Sequence, residues 1–242
     1  MNARVTSLIA GALLSPALSA CGSKDSDQPA IHLVDPKDAY GMSYAEWAVD
    51  WVRYVNSVSP PECSNPLMSE TGADCGLYQD EKSPAFFLVG NFGGVSIRKQ
   101  CAAPAGKALF FPLIVAWGDN VGVPTDMLLS DDDIKAYIQS TFDLILVDSL
   151  QLSVDGQSLD DLASGAVGPT PYTLQLAPQA NAYYCMGAED VAGEFPGYTS
   201  GYWAMLPPLE PGSHVLQFGG SAKGTATAEA QKIVQTYHLT VE

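Results

Sequence analysis

Hydrophobic positions at helical spacing predict one strong helix near the start of the chain. After Ser43, apolar side chains recur every three or four residues, and polar residues fill the positions between them. Ser43 and Glu46 have the spacing of a capping box, and Pro60-Pro61 ends the pattern. The helix is expected to bury its unusually aromatic face in the core: Tyr44, Trp47, Trp51, Tyr54, Val55 and Val58.

A second, shorter helix is predicted to begin at Ser130. Asp131, Asp132 and Asp133 would occupy its first turn. Three adjacent aspartates suggest a calcium site, but carboxylates at this position also complement the positive end of the helix dipole. We prefer the helix-cap interpretation, and no metal site is predicted.

The rest of the chain has the pattern of short strands separated by turns. A hydrophobic run over Ala85–Asn91, Gly93-Gly94 and the alternation after Val95 predict a hairpin over Phe86–Val95. Pro112 interrupts a later apolar run and indicates a bulge or a sheet edge, and Asp155-Gly156 predicts a tight hairpin turn. Residues 31–242 are therefore expected to form one mainly β domain, a β-sandwich with the amphipathic N-terminal helix and one further short helix.

The N-terminus has the pattern of an export signal with a lipid attachment site. Arg4 precedes an uncharged apolar stretch too short to span a bilayer, which predicts a signal peptide over residues 1–20. The sequence Leu18-Ser-Ala-Cys21 resembles the bacterial lipobox, which implies acylation of Cys21 and anchoring to the membrane through lipid. Gly22 after the cysteine implies the outer membrane, and residues 21–30 are expected to form a flexible tether.

Four further cysteines predict two disulfides in an exported chain: Cys63, Cys75, Cys101 and Cys185. Their spacing lacks the close pairs of a zinc site. We favour Cys75–Cys101 with Cys63–Cys185, because Cys75 and Cys101 bracket the expected hairpin. The pairing of Cys63 with Cys75 and of Cys101 with Cys185 remains open.

The charge of the chain argues against nucleic acid as a partner. The 242 residues include 27 acidic and 11 basic side chains, a formal net charge of −16. Binding to phosphate backbones requires a basic surface, so this chain would be repelled.

Few residues indicate chemistry, and no catalytic residue or cofactor is predicted. No nucleophile elbow or zinc-protease motif occurs. His214 and His238 are expected on neighbouring strands, where they would either form a polar site or serve structural roles. A glycine-rich segment, expected to be a loop, holds four aromatic candidates for ligand binding: Tyr183, Tyr184, Phe195 and Tyr198. Tyr202 and Trp203 are expected to pack in the strand that they begin.

Five sequence blocks resemble a group of exported bacterial proteins of uncharacterised function. With x for positions that do not carry the likeness, they are GxSYxEW (41–47), FLxGxFGG (87–94), CxxPAGKALFFP (101–112), GYW (201–203) and TYHLTV (236–241). The resemblance spans most of the chain after the tether and implies an exported, single-domain, β-rich protein. It also supports the Cys75–Cys101 pairing, and it implies no activity.

Together these patterns favour a non-enzymatic lipoprotein of the cell envelope that binds a surface component. A glycan is one such component, because exposed aromatic rings stack on sugar faces. The alternative is an extracellular hydrolase acting on a carbohydrate-type polymer. A pocket with a buried carboxylate or histidine of perturbed pKa would favour the hydrolase, and a shallow aromatic patch without convergent acids would favour binding.

Overall fold

The computed structural model describes residues 31–57, 63–188, 191–226 and 229–242. The predicted signal peptide, the predicted lipidation site at Cys21 and the expected tether lie outside these residues. Three α-helices are described: α1 (Tyr44–Ser57), α2 (Asp131–Asp143) and α3 (Ala182–Cys185). Nine strands are described: β1 (Ala85–Phe87), β2 (Gly94–Ala103), β3 (Ala108–Asp119), β4 (Ile145–Val154), β5 (Gln157–Ser158), β6 (Ala166–Leu176), β7 (Gly193–Leu206), β8 (Gly212–Ala222) and β9 (Gln231–Val241). The prediction of a mainly β fold is confirmed.

The strands form two sheets. The four-stranded sheet has the order β1-β3-β7-β6, and the five-stranded sheet has the order β2-β9-β8-β4-β5. One buried cluster contains side chains of both sheets, and within it the rings of Phe111 and Phe218 lie 4.5 Å apart. A second cluster joins the four-stranded sheet to α1, where Trp51 meets Trp203 edge to face at 5.3 Å. These two clusters fix the position of β3, which contributes to both.

Helix α1 follows its sequence pattern closely. The Glu46 N–H donates to Ser43 Oγ at 3.3 Å, and the Ser43 N–H donates to Glu46 Oε2 at 2.7 Å, so the predicted capping box is present. The predicted aromatic face is buried as far as Val55, whereas Val58 lies outside the described residues. The Trp51 indole N–H donates to the Leu88 carbonyl at 2.8 Å, which ties the helix to the segment after β1.

The predicted hairpin over Phe86–Val95 is wrong. β1 pairs in parallel with β3, and β2 pairs in parallel with β9, so the two halves of the expected hairpin lie in different sheets. Gly93 and Gly94 both adopt positive φ, at 126° and 77°. The two glycines therefore redirect the chain between the sheets instead of closing a turn within one of them.

The other turn predictions agree with the structure. Asp155 and Gly156 have φ values of 52° and 82° and close the β4–β5 hairpin. Helix α2 begins after Ser130, whose hydroxyl accepts from the Asp133 N–H at 3.2 Å in a capping box. This supports the helix-cap interpretation of the three aspartates.

Both favoured disulfides are present. Cys75–Cys101 ties the loop before β1 to β2, with a Cα–Cα distance of 5.6 Å. Cys63–Cys185 joins the chain after α1 to α3, with a Cα–Cα distance of 5.4 Å.

Candidate functional site

An apolar cleft of about 270 Å³ opens beside the second half of β3. Five other parts of the chain complete its wall: the segment after β1, the last turn of α2, the start of β4, and the adjoining ends of β8 and β9. Among the described residues that line it, none has an ionisable side chain; they are Gly90, Asn91, Phe92, Pro112, Leu113, Ile114, Val115, Ala116, Trp117, Thr141, Ile145, Ala222, Gln231 and Ile233. Such a lining suits binding to apolar groups more than acid–base chemistry.

A β-bulge marks the point where β3 enters the cleft. The register between β3 and β7 shifts between Pro112 and Ile114, as the position of Pro112 predicted. Pairing with β1 ends at Phe110, whose carbonyl accepts from the Leu88 N–H at 3.0 Å. Beyond that point β3 is an edge strand on its β1 side within the described residues.

Backbone groups of Val115 and Trp117 face this open edge. The Ala116 carbonyl faces β7, since it accepts from Thr199 Oγ1 at 3.0 Å, and the Ile114 carbonyl also lies against β7. Backbone groups of successive residues point to opposite sides of a strand. The N–H and C=O groups of Val115 and Trp117 therefore point away from β7, and nothing in the described ranges pairs with them.

Two buried polar side chains draw the chain away from this edge after β1. The Tyr237 hydroxyl donates to the Val89 carbonyl at 2.9 Å and accepts from the Val89 N–H at 3.2 Å. Arg98 Nη2 donates to the Gly90 carbonyl at 2.9 Å. Because residues 89 and 90 are bound to the five-stranded sheet in this way, β1 does not continue along β3.

The mouth of the cleft combines a fixed amide with an exposed ring. Asn91 Nδ2 donates to Ser96 Oγ at 3.0 Å, and Ser96 Oγ donates to the buried Gln235 side chain at 2.5 Å. Asn91 Oδ1 accepts from the Gly93 N–H at 2.9 Å, so the amide is held on both sides. Beside it Phe92 is 61% exposed, which leaves its ring available to a ligand.

A separate cluster joins one carboxylate to two tyrosines. Asp119 Oδ2 accepts hydrogen bonds from the hydroxyls of Tyr172 and Tyr183, each at 2.7 Å. Burial, followed by the nearby Asp119 charge, raises the pKa of both tyrosines well above the ordinary value. Both hydroxyls therefore stay protonated and act as donors, which ties β3, β6 and α3 together.

The predicted aromatic candidates do not form one surface patch. The expected loop is wrong from Gly193 onward, because this segment is the first half of β7, which pairs with β6 throughout and with β3 from Gly197. Phe195 packs with Tyr183 in the cluster beside α1, whereas Tyr198 packs on the other face against α2. The Tyr198 hydroxyl donates to Asp131 Oδ2 at 2.7 Å. Tyr184 lies in α3 and is partly buried.

Tyr202 and Trp203 are buried in β7, as expected.

The two histidines lie on neighbouring strands but not in one site. His214 pairs in register with Leu239, and His238 pairs with Val215, so their side chains point to opposite faces of the sheet. His238 is exposed. His214 Nδ1 lies 2.7 Å from Asp155 Oδ2, and Nε2 lies 2.8 Å from the Glu210 carbonyl. Burial acts to lower the His214 pKa, but these hydrogen bonds outweigh it and the pKa is raised.

Neither a metal cluster nor a spanning helix occurs in the described part of the chain. No group of three potential metal ligands is found there. None of the helices in these ranges could cross a bilayer, the longest having 14 residues.

The cleft itself was not predicted, because its residues are scattered over the sequence. Pro112 was the one signal that pointed to it.

Comparison with family models, with curated proteins and with solved structures found no match to this chain.

Proposed function

We propose that this chain is a lipid-anchored, non-enzymatic binding protein of the bacterial cell envelope, and that it binds its ligand in the cleft beside β3. In this proposal its folded part is a β-sandwich. The cluster shared by the two sheets supports that architecture, since it contains Phe111 of one sheet and Phe218 of the other.

The composition of the cleft carries the proposal. The described lining residues are apolar or neutral, and they surround a strand edge with unpaired backbone groups. Hydrolysis by acid–base catalysis requires a titratable side chain within hydrogen-bond reach of the reacting atoms. A ligand in this cleft would meet apolar side chains, amides and backbone dipoles, which bind without reacting.

Anchoring is proposed from Cys21 and its lipobox, with Gly22 favouring the outer membrane. Val34, near the tether, donates from its N–H to the Met205 carbonyl at 2.9 Å. Trp117 is in register with Thr199, six residues away along β7, or about 20 Å at a rise of 3.3 Å per residue. The open part of β3 thus lies away from Val34 along the sheet.

The hydrolase alternative has its strongest candidate in Asp119. That carboxylate already accepts hydrogen bonds from two tyrosines and is not among the described residues lining the cleft. Its arrangement suits a structural role, so we retain hydrolysis only as an outcome of the test.

The test exposes the full-length protein, in detergent, to arrays of glycans, envelope polymers and peptides, and it measures both retention and turnover. Gly90 lines the cleft, and a Cβ added there meets nothing within 4 Å. Gly90→Leu should fill the cleft and reduce retention at least about tenfold, because the ligand would lose contact area.

Gly76→Leu is the matched control, since Gly76 is exposed, has equally open space and lies outside the cleft. Turnover of a polymer, or retention that Gly90→Leu leaves unchanged, would overturn the proposed function.

The anchor has its own test. Cys21→Ser should abolish lipid attachment, because acylation requires the thiol, and should leave the precursor unprocessed or mis-sorted. Normal processing of this variant, with wild-type recovery in detergent-extracted membranes, would refute the lipoprotein assignment.

A further inference from the structure

We infer that the cleft takes an extended polypeptide segment of a partner protein, which adds as a strand to the open edge of β3. The inference rests on the proposed binding function and names the class of its ligand. It starts from the four backbone groups of Val115 and Trp117 that face the cleft.

Unpaired backbone groups at a strand edge select a particular kind of ligand. N–H and C=O groups spaced two residues apart match the backbone of another extended chain, which supplies the complementary donors and acceptors at the same spacing. A sugar or a lipid tail has no such repeat. The backbone therefore recognises a polypeptide, and the apolar wall of the cleft selects its side chains.

The other edge of the same sheet is protected, whereas this one is not. β6 carries Pro169 and Pro171, which cannot donate hydrogen bonds and so discourage strand addition. In β3 the only proline is Pro112, at the bulge, and the stretch from Val115 to Trp117 keeps its donors. Exposed strand edges favour aggregation, so an unprotected edge beside an apolar cleft is consistent with use as a binding site.

The segment after β1 leaves the edge of β3 open among the described residues. The bulge at Pro112 reverses which backbone groups face outward, and Tyr237 and Arg98 hold residues 89 and 90 against the other sheet. Residues 89 and 90 are thereby held away from the edge.

The net charge of the chain favours a partner with basic flanks. Helix α2 borders the cleft through Thr141, and the segment from residue 124 to residue 143 carries five aspartates against one lysine, Lys135. Lys223 and Lys232 adjoin the lining residues Ala222 and Ile233 on the other side, so the attraction comes from the α2 side and from the chain as a whole. The chain as a whole has a net charge of −16. An apolar segment flanked by lysine or arginine would be attracted to this surface, and an acidic one would be repelled.

The experiment uses the full-length protein in detergent and defined peptide pools. Each peptide has nine residues: two lysines at either end and five central residues drawn from Val, Ile, Leu and Thr. We expect saturable binding of members of this pool by fluorescence anisotropy, and at least about tenfold weaker binding of a pool with glutamate flanks. Equal binding of the two pools would overturn the assignment of basic flanks.

Backbone methylation tests strand addition without changing the protein. Two isomers of a bound peptide carry N-methyl groups on alternate residues, either on the set facing β3 or on the set facing away. One isomer should bind at least about tenfold more weakly than the other, because it loses donors to β3 and gains clashes. Equal binding of the two isomers would overturn strand addition.

Val115→Pro removes one of the donors on the protein side and should weaken peptide binding about tenfold. Its melting temperature is measured in parallel; if the variant fails to fold, the methylated isomers decide. A folded variant that binds as the wild type does would count against the inference.

The glycan, polymer and peptide experiments can fail separately, so they distinguish this inference from the proposed function. Retention of a glycan or polymer that Gly90→Leu abolishes, with no peptide bound, would overturn the peptide inference and leave the proposed function standing. If nothing in any pool is retained, both are overturned.

Discussion

Replacing Arg98 with methionine should destabilise the protein by about 3 kcal/mol. Arg98 is 3% exposed, and its guanidinium donates to the carbonyls of Pro66, Leu67 and Gly90 and to the Tyr237 hydroxyl. No carboxylate pairs with it among the described residues. Methionine keeps an apolar stem of similar length but removes every donor.

The magnitude follows from the acceptors that the substitution leaves behind. The Pro66 carbonyl keeps a bond from the Ser69 N–H at 3.3 Å, whereas those of Leu67 and Gly90 keep no other described partner. Each buried acceptor without a partner costs about 1–3 kcal/mol, so two of them cost about 2–6 kcal/mol. Removal of a buried charge that lacks a counter-ion offsets part of this cost, which gives the lower half of that range.

Urea unfolding of the full-length protein in detergent, followed by tryptophan fluorescence, measures the loss. Arg53→Met is the matched control: Arg53 is half exposed, pairs with Asp50 at 3.2 Å, and should change the free energy of unfolding by less than about 1 kcal/mol. Combining Arg98→Met with Tyr237→Phe should cost less than the sum of the two, because the residues share a hydrogen bond of 3.1 Å and a cation–π contact.

A loss below about 1 kcal/mol for Arg98→Met would refute this account of the buried guanidinium. The variant should also weaken peptide binding while it remains folded, since Gly90 would lose the bond that holds it away from β3, whereas Tyr237 would still hold Val89.

Two further predictions concern the crosslinks and pH. Replacing Cys63 and Cys185 with alanine should lower the free energy of unfolding by about 5 kcal/mol, because that disulfide closes a loop of 122 residues. Replacing Cys75 and Cys101 should lower it by about 3.5 kcal/mol, because that loop has only 26 residues. Urea midpoints in the opposite order would contradict this. The raised pKa of His214 means that its stabilisation is fully present below its unfolded pKa of about 6.5 and is lost as pH rises through the folded value. The stability difference between wild type and His214→Gln should therefore shrink from pH 5 to pH 9, and a constant difference would disprove the role of its hydrogen bonds.

Local patterns allowed the helices and several turns to be predicted from sequence. The capping box at Ser43 and the Asp155-Gly156 turn depend on neighbouring residues, and both occur as expected. The strand pairings could not be predicted in the same way. β1 and β2 are close in sequence, yet each pairs with a different partner because Tyr237, which lies far along the chain, binds the segment between them.

For the candidate site too, local features could be predicted from the sequence and long-range ones could not. Pro112 indicated an irregular or edge position in β3, which is a local property of proline. The cleft depends on where α2, β8 and β9 end in space, which no single stretch of sequence encodes. The loop predicted for the aromatic segment was wrong because its glycines have a long-range cause. Gly197 and Gly201 lie in strand β7, where the neighbouring strand β3 leaves no room for a side chain.

The position of β9 between β2 and β8 has a consequence for the order of folding. Gly94 is in register with Ile233, so the five-stranded sheet joins residues almost 140 positions apart, and β2 remains unpaired until β9 arrives. Sheets closed by such distant partners form slowly, and their waiting strands are prone to associate with other chains. Truncation before residue 231 would remove an inner strand of the sheet and leave the long strands β2 and β8 without a partner on that side. This chain should therefore depend on β9, and on protection until that strand is synthesised, more than its modest size suggests.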